Sequence, residues 1–234
     1  MRSLKRRGLG NFEHSQDIEL TYTSNAIEGY ALSAAETTLV IEQGITIAGK
    51  PLRDHLEALD HFDAIRYVRD LARRPERLSE GDLRSLHRLV VMRSKPDNAG
   101  RYADQGRYAI TDNGRHAFPA PAIVPSLMGD FAVWLSTAAP EPATAFAAHR
   151  RFVDIHPFND GNGRTARLLM NLILIRASFP PVAVRPEDPP AYIRALQDAR
   201  AGRGAHDFDR LMYERLDATL DGYVRALHQA LLLK

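Results

Sequence analysis

No cysteine occurs among the 234 residues, which rules out a disulfide framework, a thiolate zinc site and a cysteine nucleophile and fits a reducing compartment. The chain has no run of some eighteen apolar residues, the length a membrane-spanning helix needs. Its basic start, Met1-Arg2-Ser3-Leu4-Lys5-Arg6-Arg7-Gly8, is not followed by the apolar stretch of a secretion signal. The expectation is a cytoplasmic protein with no membrane contact. Charge of one sign is lacking too: the formal net charge is +2, with acids and bases interspersed. Nucleic-acid binding is therefore not demanded, and Lys5-Arg6-Arg7 reads as a frayed, solvated terminus. Internal repeats, coiled coils and low-complexity tracts are absent. The hydrophobic content of 44% is enough for a sizeable core.

The densest chemistry lies in His156-Pro157-Phe158-Asn159-Asp160-Gly161-Asn162-Gly163-Arg164-Thr165-Ala166-Arg167. Pro157 biases His156 away from the α region, so a helix arriving through Arg151 to Ile155 should end there, and the apolar run from Leu168 should restart one. The residues between form a loop feeding a helix N-terminus. Such an end presents unpaired N–H groups and a positive dipole, and Gly161 and Gly163 have no side chain to keep a phosphate away. Arg164 and Arg167, three apart, are neighbours on one helix face and call for an anionic partner. The pattern is an anion cradle suited to a polyphosphate.

Two common alternatives fail on spacing. An EF-hand with Gly161 at its sixth position puts His156 first, Phe158 third and Arg167 twelfth, none of them a suitable oxygen ligand. A P-loop ending on Gly163 needs glycine at 158 and lysine at 164, where this chain has Phe158 and Arg164. A bland reading remains, in which Asp160 to Gly163 is a turn between two helices with solvated neighbours.

These twelve residues resemble the signature of the Fic family, His-x-Phe-x-(Asp/Glu)-Gly-Asn-Gly-Arg-x-x-Arg, at every fixed position. The resemblance extends upstream to Ser24-x-x-x-Glu28-Gly29, which is similar to the family's inhibitory motif, and downstream to Ala177-Ser178-Phe179-Pro180-Pro181. Taken alone, Ser24 and Glu28 are an ordinary i,i+4 pair on a solvated helix. The resemblance implies a mainly α-helical fold, a helical bundle around a central buried helix with a small β-hairpin flap. It divides the chain into an N-terminal helical region carrying the inhibitory helix (1–78), a Fic core (79–205) and a C-terminal helix packed on the core (206–234).

Along the chain, Asp17 to Tyr30 reads as a helix with Gly29 near its end, and Ser33 to Glu36 as a capping box opening a helix to about Glu42. Leu52 to Leu71 is a long amphipathic helix on which His55 and His61, six apart, lack metal-ligand spacing. Ser79 caps a helix running to about Met92. The stretch 96–125 is not helical in pattern, and 107–111 and 116–118 around Asp112-Asn113-Gly114 predict a hairpin. Further helices are expected over Val124 to Ser136, Pro142 to Ile155, Leu168 to Ile175 with Pro180-Pro181 stopping it, Pro189 to Ala199, and Phe208 to Leu233. The third of these is apolar on every face and so central.

The resemblance also implies roles. His156 would be the general base for a target hydroxyl, and Asp160 would hold Mg²⁺. Gly161, Asn162, Gly163, Arg164 and Arg167 would bind the phosphates of ATP, Arg164 on the β side and Arg167 on γ. Phe158 would fix the loop by packing. Ser24, Glu28 and Gly29 would be inhibitory, with Glu28 competing for Arg167. The implied activity is transfer of AMP from ATP to a Ser, Thr or Tyr hydroxyl of a protein docked on the 100–118 flap, self-modification included. The Doc branch, a kinase, has lysine at the place of Gly163, which disfavours phosphorylation here. Removal of AMP, use of another nucleotide, and a silent nucleotide-binding module remain alternatives, and a homodimer stays open.

Overall fold

The computed structural model describes residues 2–111 and 114–232. The expected turn residues Asp112 and Asn113, and Leu233 at the expected end of the last helix, lie outside the described residues. Among those described, the elements are α1 (Arg2–Ile27), α2 (Ala34–Gln43), α3 (Leu52–Ala72), α4 (Glu80–Val91), β1 (Tyr108–Thr111), β2 (Gly114–Ala117), α5 (Val124–Thr137), α6 (Pro142–Ile155), α7 (Asn162–Arg176), α8 (Pro189–Arg200) and α9 (His206–Leu232). The fold is mainly α with one small antiparallel hairpin, in which Tyr108 pairs with Ala117 and Thr111 with Gly114.

Local chemistry explains most boundaries. Ser33 and Ser79 each form a reciprocal capping box, with Glu36 and Asp82. Gly44 takes the left-handed conformation that ends α2. Three boundaries differ from the sequence expectation. The first helix begins at Arg2, not Asp17, and closes at Ile27, with Glu28 and Gly29 in the turn that follows. Gly29, at φ +86°, lets Tyr30 N–H return to the Asn25 carbonyl at 3.3 Å. The central helix begins at Asn162, six residues before Leu168, because the Gly161 carbonyl accepts the first intrahelical bond from Thr165 N–H at 2.9 Å. It ends at Arg176, ahead of the prolines, where Ser178 turns left-handed at φ 64° and Phe179 N–H reaches the Leu174 carbonyl.

The helix α7 is the axis of the molecule. From Arg164 through Leu174 every residue is buried, so substituting Leu169 by alanine should cost about 2–5 kcal/mol. Helices α3, α4 and α6 wrap around it, and one hydrophobic cluster takes side chains from Leu20 on α1 through Leu216 on α9. A smaller cluster of Leu32, Val40 and Ala58 fastens α2 to α3. His55 and His61 are both buried: His55 Nε2 accepts from Ile47 N–H at 2.8 Å, and His61 Nδ1 meets Thr21 Oγ1 at 3.1 Å. Among the described residues, no helix is long and apolar enough to cross a membrane.

Candidate active site

The loop 156–161 joins α6 to α7, and its shape is over-determined. His156 ends α6 in the left-handed region, at φ 50° and ψ 57°, where the expectation from Pro157 was an extended one. Phe158 is fully buried and stacks on His87 of α4 with ring centroids 3.5 Å apart. Asn162 closes the loop on itself: its Oδ1 accepts from Phe158 N–H at 2.9 Å and its Nδ2 donates to the Phe158 carbonyl at 2.8 Å. His87 ties the other side. Gly100 N–H donates to His87 Nδ1 at 3.0 Å, so Nε2 carries the proton and donates to the Asp160 carbonyl at 3.0 Å. Burial pushes the His87 imidazole down to about 3, which keeps that tautomer neutral.

The segment leading into the hairpin is tied to this loop. Tyr102 bridges Phe158, and Ala103 N–H donates to the Pro157 carbonyl at 2.8 Å. Arg107 is a three-way clamp, donating to the carbonyls of His156 at 3.0 Å, Gln105 at 3.1 Å and Pro119 at 2.9 Å. Phe118, just past β2, stacks on the His156 ring at 3.8 Å. The His156 Nδ1 lies 3.3 Å from the Val153 carbonyl. A carbonyl only accepts, so Nδ1 carries the proton and Nε2 is left as the acceptor. Burial lowers this imidazole to about 4.

The first turn of α7 offers the N–H groups of Asn162, Gly163 and Arg164, which precede the first intrahelical bond and have no acceptor among the described residues. Gly161 is sterically required, and Gly163 leaves the space that the Glu28 carboxylate takes. A Cβ on Gly161 would lie 2.9 Å from Val91 Cγ1, at a φ of +73°, and one on Gly163 would lie 2.7 Å from Glu28 Oε1.

The two arginines do not share one environment. Arg164 is 1% exposed and runs back into the core, its Nη1 donating to Glu57 Oε2 of α3 at 2.6 Å. Burial pushes the Glu57 carboxyl up and Arg164 only partly offsets this; the guanidinium itself does not release its proton in proteins. Arg167 faces α1. Its Nε donates to Ser24 Oγ at 2.9 Å, and its Nη2 donates to the Ser24 carbonyl at 3.0 Å and Glu28 Oε1 at 2.6 Å. One cation thus caps a carbonyl at the negative end of α1 and neutralises the carboxylate beyond it. Burial opposes ionisation of Glu28, but Arg167 outweighs it and holds the carboxyl below its ordinary value.

Asp160 lies at the rim, its side chain 33% exposed. Its Oδ1 accepts from Gly161 N–H at 2.6 Å, with Arg164 Nη2 at 3.6 Å, and its Oδ2 is ion-paired with Lys95. Among the described residues no three His, Asp or Glu side chains converge on one point. A single partly exposed carboxylate is the kind of ligand that a cation of the Mg²⁺ type would take, its shell completed by water and phosphate oxygens.

The structure therefore brings together His156, Asp160, Gly161, Asn162, Gly163, Arg164 and Arg167 with Ser24 and Glu28, while Gly29 shapes the turn behind Glu28. The sequence reading missed Glu57, His87, Lys95, Arg107 and the stacking role of Phe118. Only Arg107 and Phe118, already placed in the expected hairpin, carried any signal.

A family model described as the Fic/DOC family matches residues 77–174. A protein adenylyltransferase Fic from Nematostella vectensis is 38% identical over 208 residues, covering 87% of this chain and 48% of the relative. The chain spans about half the length of the curated relatives it matches. A variant of Fic-1 (residues 134–508) from C. elegans superposes with a TM-score of 0.84 at 30% identity, covering 98% of this chain and 68% of the other. A Fic-domain protein from Bacteroides thetaiotaomicron shares the fold, with a TM-score of 0.88 at 24% identity and coverage of 94% and 90%.

Proposed function

The chain belongs to the Fic/DOC family, and from that premise we propose that it is a protein adenylyltransferase, moving AMP from ATP to a Ser, Thr or Tyr hydroxyl and restrained by its own Glu28. The observation that carries this reading is the His156 tautomer. With Nδ1 committed to the Val153 carbonyl, Nε2 is left unprotonated to take a hydroxyl proton, at the end of the loop that feeds the open amides of α7.

In the proposed reaction His156 Nε2 takes the proton of the target hydroxyl as its oxygen bonds to the α-phosphorus. The bond from that phosphorus to the bridging oxygen breaks, and pyrophosphate leaves. The amides of Asn162, Gly163 and Arg164 hold phosphate oxygens, and Arg167, once free of Glu28, reaches the γ-phosphate. The Asn162 side chain contributes by fixing the loop, since both its polar atoms are bonded to Phe158. Arg164, paired with Glu57, contributes charge from behind the cradle more than a direct grip. Asp160 would hold Mg²⁺, which neutralises charge building on the departing pyrophosphate. The target would lie along the hairpin, where Tyr108 and Ile110 are 53% and 75% exposed.

The test is intact-mass analysis of the protein and of a lysate incubated with ATP and Mg²⁺, using the wild type and Glu28→Gly. An added AMP mass is expected, with α-labelled ATP marking the acceptor and γ-labelled ATP leaving it unmarked. The reverse labelling would establish a kinase.

One observation favours a second reading, removal of AMP from a modified protein. Glu28 and His156 lie close enough to influence each other's ionisation, each favouring the other's charged form. A water held between them could attack the phosphodiester. Release of AMP from a pre-modified target by the wild type, lost in Glu28→Gly, separates this activity from simple inhibition.

A further inference from the structure

Lys95 has no part in the chemistry above, yet its ammonium is ion-paired with Asp160 Oδ2. Both ends of that contact are fixed by the fold. The backbone N–H groups of Arg93 and Ser94 donate to the Asp60 carboxylate at 3.0 Å and 3.1 Å, and Lys95 N–H donates to the Val91 carbonyl at 2.7 Å. The Asp60 side chain is fully buried on α3, so a carboxylate inside the core pins the turn from which the lysine springs. On the other side Asp160 is held at its Oδ1 by Gly161 N–H and at its carbonyl by His87. Two freely moving surface side chains gain little from pairing; these start from rigid points.

The charges at this rim set up a competition. Asp160 brings one negative charge, while Lys95 sits on one carboxylate oxygen and Arg164 Nη2 lies 3.6 Å from the other. A divalent cation arriving at Asp160 meets both, and like charges that close repel strongly where water is partly excluded. A nucleotide reverses the balance, because its phosphates supply the oxygens that an ammonium on a flexible stem can take instead.

Resting on the nucleotide reading, we infer that Lys95 is a built-in stand-in for the divalent cation. It holds Asp160 while no metal is present, leaves when metal and nucleotide arrive together, and moves to the phosphate oxygens. Lysine and metal are then partial substitutes for one another, and nucleotide binding depends on Mg²⁺ only shallowly.

Calorimetric binding of ADP, measured with Mg²⁺ and with EDTA in the Glu28→Ala background, tests this without any turnover. The quantity read is the ratio of the two dissociation constants, EDTA over Mg²⁺. Lys95→Met should raise that ratio about tenfold, through weaker metal-free binding, tighter Mg²⁺-assisted binding, or both. Lys95→Arg should keep it near the starting value. The lysine side chain is 31% exposed, so the methionine variant should fold, which its melting temperature verifies. An unchanged ratio overturns the inference, whether both affinities stay put or fall together, because lysine and metal would then act independently. If ADP binds none of the variants in either buffer, the nucleotide reading itself falls and takes this inference with it.

Discussion

Glu28 Oε1 lies 2.6 Å from Arg167 Nη2 across 139 residues of sequence, so the carboxylate that ends the first helix occupies the cation that a γ-phosphate would use. Removing it frees that cation at the cost of a pair that is 34% exposed on the glutamate side. Glu28→Gly or Glu28→Ala is expected to raise AMP transfer at least tenfold, since about 1.4 kcal/mol corresponds to a decade. Arg167→Ala added to either should cancel the gain. An unchanged rate in the single variants would reduce the contact to a structural ion pair.

The same pair should not respond to physiological pH. The folded carboxyl is held below its ordinary value, so its contribution is present above the usual carboxylate range and is lost only as pH falls through the lowered value. Restraint, measured as the rate ratio of Glu28→Ala to wild type, is expected to be constant from about pH 6 to 8. A ratio that collapses inside this window would point to a different titrating group.

His156→Ala, in the Glu28→Gly background, should lower transfer by about two to four decades, the range typical of general-base catalysis, with nucleotide still bound. Because the free imidazole is pushed down to about 4, it is already unprotonated at neutral pH. Plotted against pH, kcat/KM should be level from about 6 to 8; a rise centred on the ordinary histidine value would contradict the assigned environment.

Acid should unfold the protein earlier than its surface charges suggest. His61 and His87 are pushed down to about 3, and His149, whose Nε2 meets Tyr192 Oη at 2.7 Å, goes well below its ordinary value. The unfolded chain takes up protons below about pH 6.5 that the folded chain refuses, so stability falls with falling pH there. Each such histidine contributes up to about 1.4 kcal/mol per pH unit. Urea midpoints at pH 7 and pH 5 should differ clearly, and His61→Asn, which keeps a short polar side chain beside Thr21, should narrow the gap.

Gly163→Ala brings a methyl group to 2.7 Å from Glu28 Oε1 and 3.1 Å from Arg167 Nη1. The first distance forces Glu28 to shift and the second crowds Arg167, so the Glu28 contact should open and hydrogen exchange should quicken at the N–H groups of Glu28, Gly29 and Tyr30 that close the turn after α1. Protection equal to wild type would mean that the loop carrying residue 163 yields instead.

What could be read from the sequence was whatever is local. The signature, the capping box at Ser33, the helix cap at Ser79, the hairpin and the apolar stripe after Leu168 all announce themselves within a dozen residues. The start of α7 was misplaced because Gly161 to Gly163 are poor helix formers, and only the Gly161 carbonyl, accepting from Thr165, reveals where the helix begins. The start of α1 was misplaced for a similar reason, since Arg2 to Gly10 shows no apolar period. The supporting residues could not be read at all. Arg164 meets Glu57 across 107 positions and His87 meets Asp160 across 73, and at such separations no spacing marks either partner. An isolated glutamate on a long amphipathic helix looks like any solvated charge until a buried guanidinium stands against it.

The two arginine partners differ in what losing them would mean over generations. Glu57 is buried without exposure, and a chain lacking it must fold around a buried guanidinium left with only the longer contact to Asp160, which few lineages could survive. Glu28 stands at a helix end, open on one side, and the fold closes without it. On the proposed function, its restraint would be separable from the scaffold: a single codon change would release the activity in an otherwise intact protein, and selection on activity, not selection on folding, would hold that codon in place.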